Sequence, residues 1–352
     1  MTGPRLGFFS RLLEEASAAE RYRFALEQIA QAEAVGFASA WVAQHHFSAS
    51  EGGLPAPFVL LAAAAERTRH IALGTAVVTL PIEDPVRAAE DAAVLEAVSG
   101  GRVQLGVASG GTPSSFAAFE RDSKLRGELY AEHLDVFRAT LAGEGIRGTS
   151  SQMYPEAGSL PNKIWQATFS PAGGTRAGAR GDGLMLSRTQ PREPGRPGAP
   201  LHELQLPIIA AYREALPSGS PVRVLASRTA LVVDEDQRTR ALELAEAGLR
   251  EVAANLLGID PDGLGIDELA RITDTHVGTV DEVVASLSAD DTLANATDVS
   301  FQVHSIAATH ELTLRSLDLL ATEVAPRAGI RVGPETAIEL LSAHRRPVNA
   351  RG

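Results

Sequence analysis

Short apolar runs alternate with amphipathic stretches of helical period along most of the chain, the pattern of strands buried beneath crossover helices in repeated β-α units. Leu6–Phe9 reads as the first strand, followed by a helix from Glu20 to Val35 that Gly36 closes. Strands at Ser39–Ala43, Ile71–Val78 and Val103–Ala108 are separated by helices at Pro57–Arg69 and Pro85–Val98, and a helix over about Leu125–Leu141 ends the first half. The second half gives strands at Ile164–Ala167, Gly183–Ser187, Val222–Val233 and Asp298–Ser305. Helices fall at Gly174–Ala179, His202–Leu216, Asp236–Leu257, Val280–Leu287 and His310–Val324, with an insertion at Asp260–Val277. Eight strands without a Gly-x-Gly-x-x-Gly turn favour a closed (β/α)8 TIM barrel with loop insertions over a doubly wound sheet. Residues 1–328 are expected to form this single domain, and 329–352 a surface tail.

Composition removes several functions. With 32 Lys+Arg against 44 Asp+Glu the net charge is −12, the wrong sign for neutralising nucleic-acid phosphates or lying on anionic lipid. No cysteine is present, which excludes disulfides, thiolate metal sites and thiol nucleophiles. The longest apolar run, Leu54–Ala65, falls short of the roughly 20 residues that span a bilayer, and Glu14 and Glu15 interrupt any apolar signal core; a cytoplasmic protein is expected. Lys124 and Lys163 are the only lysines, so Schiff-base chemistry has almost no candidate. Walker, zincin and hydrolase-elbow motifs are missing.

In a barrel the site lies just after the strands. Those positions hold Gln44-His45-His46-Phe47, Thr79-Leu80-Pro81, Ser109-Gly110-Gly111-Thr112 and Thr168–Gly174. Adjacent histidines at a strand end point to opposite sides, so one of His45 and His46 faces the mouth and the other is structural. His304 and His310 have no carboxylate at metal spacing, and no metal is expected. Ser170-Pro171-Ala172-Gly173-Gly174-Thr175 leads into a helix whose N–H groups suit a phosphate, or is simply a turn. Arg126 is a second phosphate candidate. The Pro-, Arg- and Gly-rich stretch 188–200 reads as an active-site lid, and Phe8, Phe9, Phe47 and Phe169 as apolar lining.

Three segments taken together resemble the bacterial luciferase-like flavin monooxygenase family: Gly36-Phe37-x-Ser39-x-Trp41-Val42-x-x-His45-His46-Phe47; Gly74–Pro81 with Asp84-Pro85-Val86-Arg87-x-Ala89-Glu90-Asp91; and Ser99-Gly100-Gly101-Arg102-x-x-x-Gly106. The resemblance is strong over about the first 140 residues and weaker beyond. It implies a barrel that holds reduced FMN, where dioxygen adds to form a flavin hydroperoxide that oxygenates a small-molecule substrate. His45 falls on the family's catalytic histidine. Ala76-Val77 matches the family's cis peptide under the flavin ring. Ser109 stands where luciferases carry a phosphate arginine, which leaves Arg126, Ser170, Gly173 and Gly174 to hold the phosphate. The family's acidic residues before the double histidine and after strand five are Gln44 and Phe169 here, so light emission is not implied. A separate NAD(P)H:flavin reductase and a homodimer are expected from the same resemblance. Two readings compete: a deazaflavin-dependent oxidoreductase of the same fold, with Arg176, Arg180 and Arg188 serving the longer coenzyme tail, and a non-catalytic flavin-binding protein.

Overall fold

A computed structural model describes residues 3–193, 195–303 and 308–333. Nine strands form one parallel sheet: β1 (Arg5–Ser10), β2 (Ser39–Val42), β3 (Ala72–Thr79), β4 (Val103–Ala108), β5 (Ile164–Ala167), β6 (Gly183–Leu186), β7 (Val224–Val232), β8 (Thr275–Gly278) and β9 (Asp298–Gln302). Neighbours pair in chain order from β1 to β7, β7 pairs with β9 and β9 with β1. Eight strands therefore close into a barrel inside a ring of helices, the (β/α)8 architecture.

The ninth strand corrects the sequence expectation of a plain insertion at 260–277. That segment holds a helix, Ile266–Ile272, and then β8. The strand pairs only with the far half of the nine-residue β7, Thr229 to Val232, after β9 has used Leu225 to Thr229. A four-residue strand outside the barrel carries too little periodicity to be told from loop.

Local chemistry sets the helix boundaries. Helix Pro85–Ser99 starts with proline at its first position, where a missing N–H costs nothing. Asp84 accepts from the N–H groups of Val86 and Arg87, and the helix stops at Gly100, whose φ of 66° is left-handed. Helix Ala18–Ala34 opens with a capping box of Ser17 and Glu20. The chain end also differs from expectation. Ile330 is buried, the Leu6 N–H donates to the Arg331 carbonyl at 3.0 Å, and the Gly333 N–H donates to Gly36 at 2.8 Å, so 329–333 pack beside β1 rather than forming a surface tail. Residues 334–352, and the expected strand end at Ser305, lie outside the described residues.

Candidate active site

The barrel interior below the mouth is plugged by two tryptophans. Trp41 on β2 and Trp165 on β5 meet edge to face, centroids 5.7 Å apart, each indole N–H satisfied, Trp41 by Ser39 and Trp165 by Gln104. Room for the rings comes from glycine: a Cβ on Gly74 would collide with Trp41, and one on Gly183 with Trp165. Above this floor β3 bulges against β4, with Thr75 paired to Leu105 but Val78 to Val107. The Ala76–Val77 peptide bond in the bulge is cis. Ala76, Val77, Phe9 and Ala167 pack on the tryptophan cluster, and together with Ala108 and Ser109 they remain partly exposed. The mouth is thus floored by small side chains and backbone. Phe8, expected there, alternates to the other side of β1 and is fully buried in the main core. Phe9 does line the mouth, whereas Phe47 and Phe169 are 74% and 50% exposed.

The two histidines separate as the strand geometry requires. His46 stands edge to face with Phe119 at 4.9 Å. His45 is held by its N–H donating to Leu54 at 2.9 Å, and its ring packs so closely on Gly52 that a Cβ there would lie 2.5 Å from it. The ring is 24% exposed, at a cavity of about 320 Å³ shared with Arg21, Phe47, Gly52 and Pro55. Burial, then the positive charge of Arg11, then His46 push its pKa down to about 4. At neutral pH it is an uncharged imidazole able to donate one hydrogen bond and accept another. Its Nδ1 lies 3.9 Å from Glu51 Oε2, outside hydrogen-bond reach; that carboxylate accepts from Thr112 Oγ1 at 3.2 Å. Gln44 ties the ends of β2 and β3 together, accepting from the Thr79 N–H at 2.8 Å and donating to Glu83 Oε1 at 2.6 Å.

The phosphate candidates divide. The helix expected from Gly174 begins three residues earlier, as Pro171–Ala179 with Ser170 at its N-cap. The Gly173 N–H donates to Ser170 Oγ at 3.2 Å and the Gly174 N–H to the Ser170 carbonyl at 3.1 Å. Pro171 has no N–H, so among the described residues Ala172 alone keeps a free one in this turn, next to the exposed Ser170. Both glycines are buried and answer to packing: a Cβ on Gly173 would strike the Thr168 side chain, and one on Gly174 would sit 2.6 Å from the Ile208 carbonyl in helix Leu201–Ala215. Arg126 is the first residue of helix Arg126–Leu141 and is exposed. Its backbone N–H donates to the Ser123 carbonyl, but among the described residues its side chain has no hydrogen-bond or ion-pair partner. Of the arginines put forward for a longer tail, Arg176 donates to Gln166 and covers the Tyr130 ring, and Arg180 pairs with Asp135 at 2.7 Å.

Arg188 is different. Its Nε donates to Gln302 Oε1 at 2.7 Å, and among the described residues no carboxylate pairs with it. Burial, then the like charge of Arg11, push its pKa down to about 9. The loop that carries it is tied down: Gln190 donates to the Phe169 carbonyl at 2.9 Å, and Arg192, 3% exposed, forms an ion pair with Asp274. Asp274 in turn accepts from the Leu201 N–H at 3.0 Å. Arg11, Glu51 and Gln302 were not legible as site residues, because they become neighbours only when the ends of β1, β2 and β9 meet around the barrel.

The family model described as luciferase-like monooxygenase matches residues 7–295. The chain is 32% identical over 315 residues to 4-hydroxyprotoasukamycin monooxygenase of Streptomyces nodosus subsp. asukaensis, covering 83% of each protein. It superposes on monooxygenase RslO1 from Streptomyces bottropensis with a TM-score of 0.75 and 25% identity, covering 92% of this chain and 99% of that one. The oxygenating constituent of 3,6-diketocamphane monooxygenase from Pseudomonas putida, solved with FMN, shares the fold at a TM-score of 0.73 and 20% identity, over 94% and 99% of the two chains. A match over this much of the barrel, with named monooxygenases among its relatives, makes the chain a member of the luciferase-like monooxygenase family and its activity that of a flavin-dependent monooxygenase.

Proposed function

We propose that the protein is the oxygenase component of a two-component system, which receives reduced FMN from a separate NAD(P)H:flavin reductase and oxygenates a small organic substrate. What supports this reading is the neutral His45 just after β2, together with the bulged, partly exposed Ala76 and Val77 on the neighbouring strand β3. The residues present fit a flavin. A flat ring suits a floor of Ala76, Val77, Ala108 and Ala167, and Ser109 stands at the rim. The Ser170 hydroxyl and Ala172 N–H are exposed where a phosphate would meet a helix start, and Arg126 is uncommitted. Gly173 and Gly174 serve indirectly, by letting that helix seat closely on its neighbours.

When bound, reduced FMN supplies the electrons that activate dioxygen. The chain supplies the rest. Trp41 and Trp165 close the barrel below and keep water from entering from that side. His45, kept uncharged by burial and by Arg11, can donate a hydrogen bond from its one ring N–H to a reacting oxygen, or accept a proton at its unprotonated ring nitrogen without first losing one to solvent. Gln44 fixes the β2–β3 edge on which His45 and the cis bond both depend. Val59, Val94 and Val98, 73%, 50% and 47% exposed on adjacent helices, support a homodimer. Localisation is proposed as cytoplasmic; among the described residues no helix is long and apolar enough to cross a membrane.

Anaerobic titration with reduced FMN and with a reduced deazaflavin coenzyme tests the cofactor. Saturable binding of FMN, weakened by Arg126→Ala and by Ser170→Ala, is expected. Tighter binding of the deazaflavin would move this chain to the competing oxidoreductase reading. Turnover unchanged by His45→Ala would leave only flavin binding.

A further inference from the structure

The side of the mouth formed by the ends of β1, β6 and β9 is rich in donors and poor in acceptors. Arg188 uses Nε on Gln302 Oε1, and that bond fixes the amide so that Gln302 Nε2 points elsewhere. Gln302 is fully buried, and its Nε2 has no partner among the described residues. The two terminal nitrogens of Arg188 likewise have no partner there. Arg11 lies between Arg188 and His45, close enough to act as a like charge on both. It donates to the backbone carbonyl of Glu51 rather than to its carboxylate, and its Nε is buried without a partner among the described residues. The Glu51 carboxylate offsets part of the charge on Arg11, but no carboxylate among the described residues pairs with Arg188, and a guanidinium backed by an unpaired buried amide N–H is costly to maintain unless something negative joins it.

The flavin phosphate proposed above is held by other groups. Its phosphate candidates, Ser170, Ala172 and Arg126, follow β5 or begin a helix after β4, across the barrel from the β1 and β9 ends that carry Arg11 and Gln302, while Arg188 follows β6, the neighbour of β5. We propose that the substrate of this monooxygenase is an organic anion, a carboxylate or phenolate, whose charged oxygen is bound by Arg188 and Arg11 with the Gln302 amide as a third donor. The inference rests on the site reading above and adds its substrate class. Planar guanidiniums suit such oxygens because they donate two parallel hydrogen bonds. Arg188 is preorganised by two neighbours in its loop, Arg192 paired with Asp274 and Gln190 bonded to the Phe169 carbonyl. Held there, the rest of the substrate extends past Arg11 toward His45.

The test uses the flavin-free full chain. Binding of 2-naphthoate is compared with neutral 2-naphthamide, and 4-nitrophenolate at pH 8 with 4-nitroanisole. At least one anion is expected to bind about tenfold or more tightly than its neutral partner; which pair shows the preference separates carboxylate from phenolate. Arg188→Met should abolish the preference and Arg188→Lys keep part of it, with urea midpoints confirming folding. Equal affinity for anion and neutral partner overturns the proposal, as does a preference that survives Arg188→Met. If Arg188→Met leaves anion binding alone but lowers the midpoint potential of bound FMN, the guanidinium serves the flavin ring and the proposal is equally overturned. Because binding is read without flavin, failure of the FMN reading would not alter the result. Failure here leaves FMN binding as measured.

Discussion

Replacing Arg11 by Met should raise the pKa of His45, because it removes the second-largest cause of its depression while leaving burial in place. In the intact protein the drop from 6.5 to about 4 is worth about 3 kcal/mol against the imidazolium. The sign for stability follows from proton counting. Between pH 6.5 and 4 the unfolded chain protonates this imidazole and the folded chain does not, so stability is complete above 6.5 and falls as the pH drops toward 4. From pH 7 to pH 5 one such histidine removes about 2 kcal/mol. His276, buried against Ser286 and also pushed down to about 4, adds a second contribution of the same sign. Two-dimensional NMR of imidazole-labelled protein reads the site directly, with His45→Gln assigning the signal. Urea unfolding at the two pH values reads the linkage, and His45→Gln should lose less stability on acidification than the wild type. An imidazole that titrates near 6.5 in the folded protein would refute the reasoning, since the mouth would then be as wet as bulk solvent.

Other consequences can be checked with purified variants. Gly178→Ala places a methyl against the Tyr212 carbonyl of the neighbouring helix and should cost about 1–3 kcal/mol by urea unfolding. Arg126→Ala should leave the urea midpoint unchanged, because the side chain is exposed and unpartnered among the described residues, while weakening FMN binding in a fluorescence titration. Arg192→Met leaves the partly buried Asp274 without its ion-pair partner; trypsin cleavage at Arg196 should accelerate, and bound flavin should slow it if the loop acts as a lid. Gln44→Leu strips a partner from the Thr79 N–H and from Glu83 and should cost about 1–3 kcal/mol.

The barrel was readable because its strands are buried on both faces and write themselves as short apolar runs, bounded by caps such as Asp84-Pro85 and Gly100 that have one local meaning. Strand alternation allowed only one of two adjacent histidines to face inward, and the resemblance, not the alternation, singled out His45. The resemblance added Ala76-Val77, for a bond geometry that no local propensity specifies. What stayed hidden is non-local. Arg188 stood out in sequence only as one of three arginines for a longer coenzyme tail, since its lack of a carboxylate depends on what β1 and β9 bring beside it. Gly173 and Gly174 suited a phosphate turn equally well, and only the nearness of Thr168 and Ile208 assigns them to packing. β8 was missed because four residues paired on one side leave no periodic signature.

The most direct test of the oxygenase reading is to load the protein with reduced FMN without oxygen, mix it rapidly with aerated buffer and follow the flavin absorbance. Bound flavin is expected to return to its oxidised form in resolved phases, slower than free FMN, with the last phase accelerated by a true substrate and altered in His45→Ala. A single phase at the rate of free FMN, the same in wild type and variant, would contradict the account.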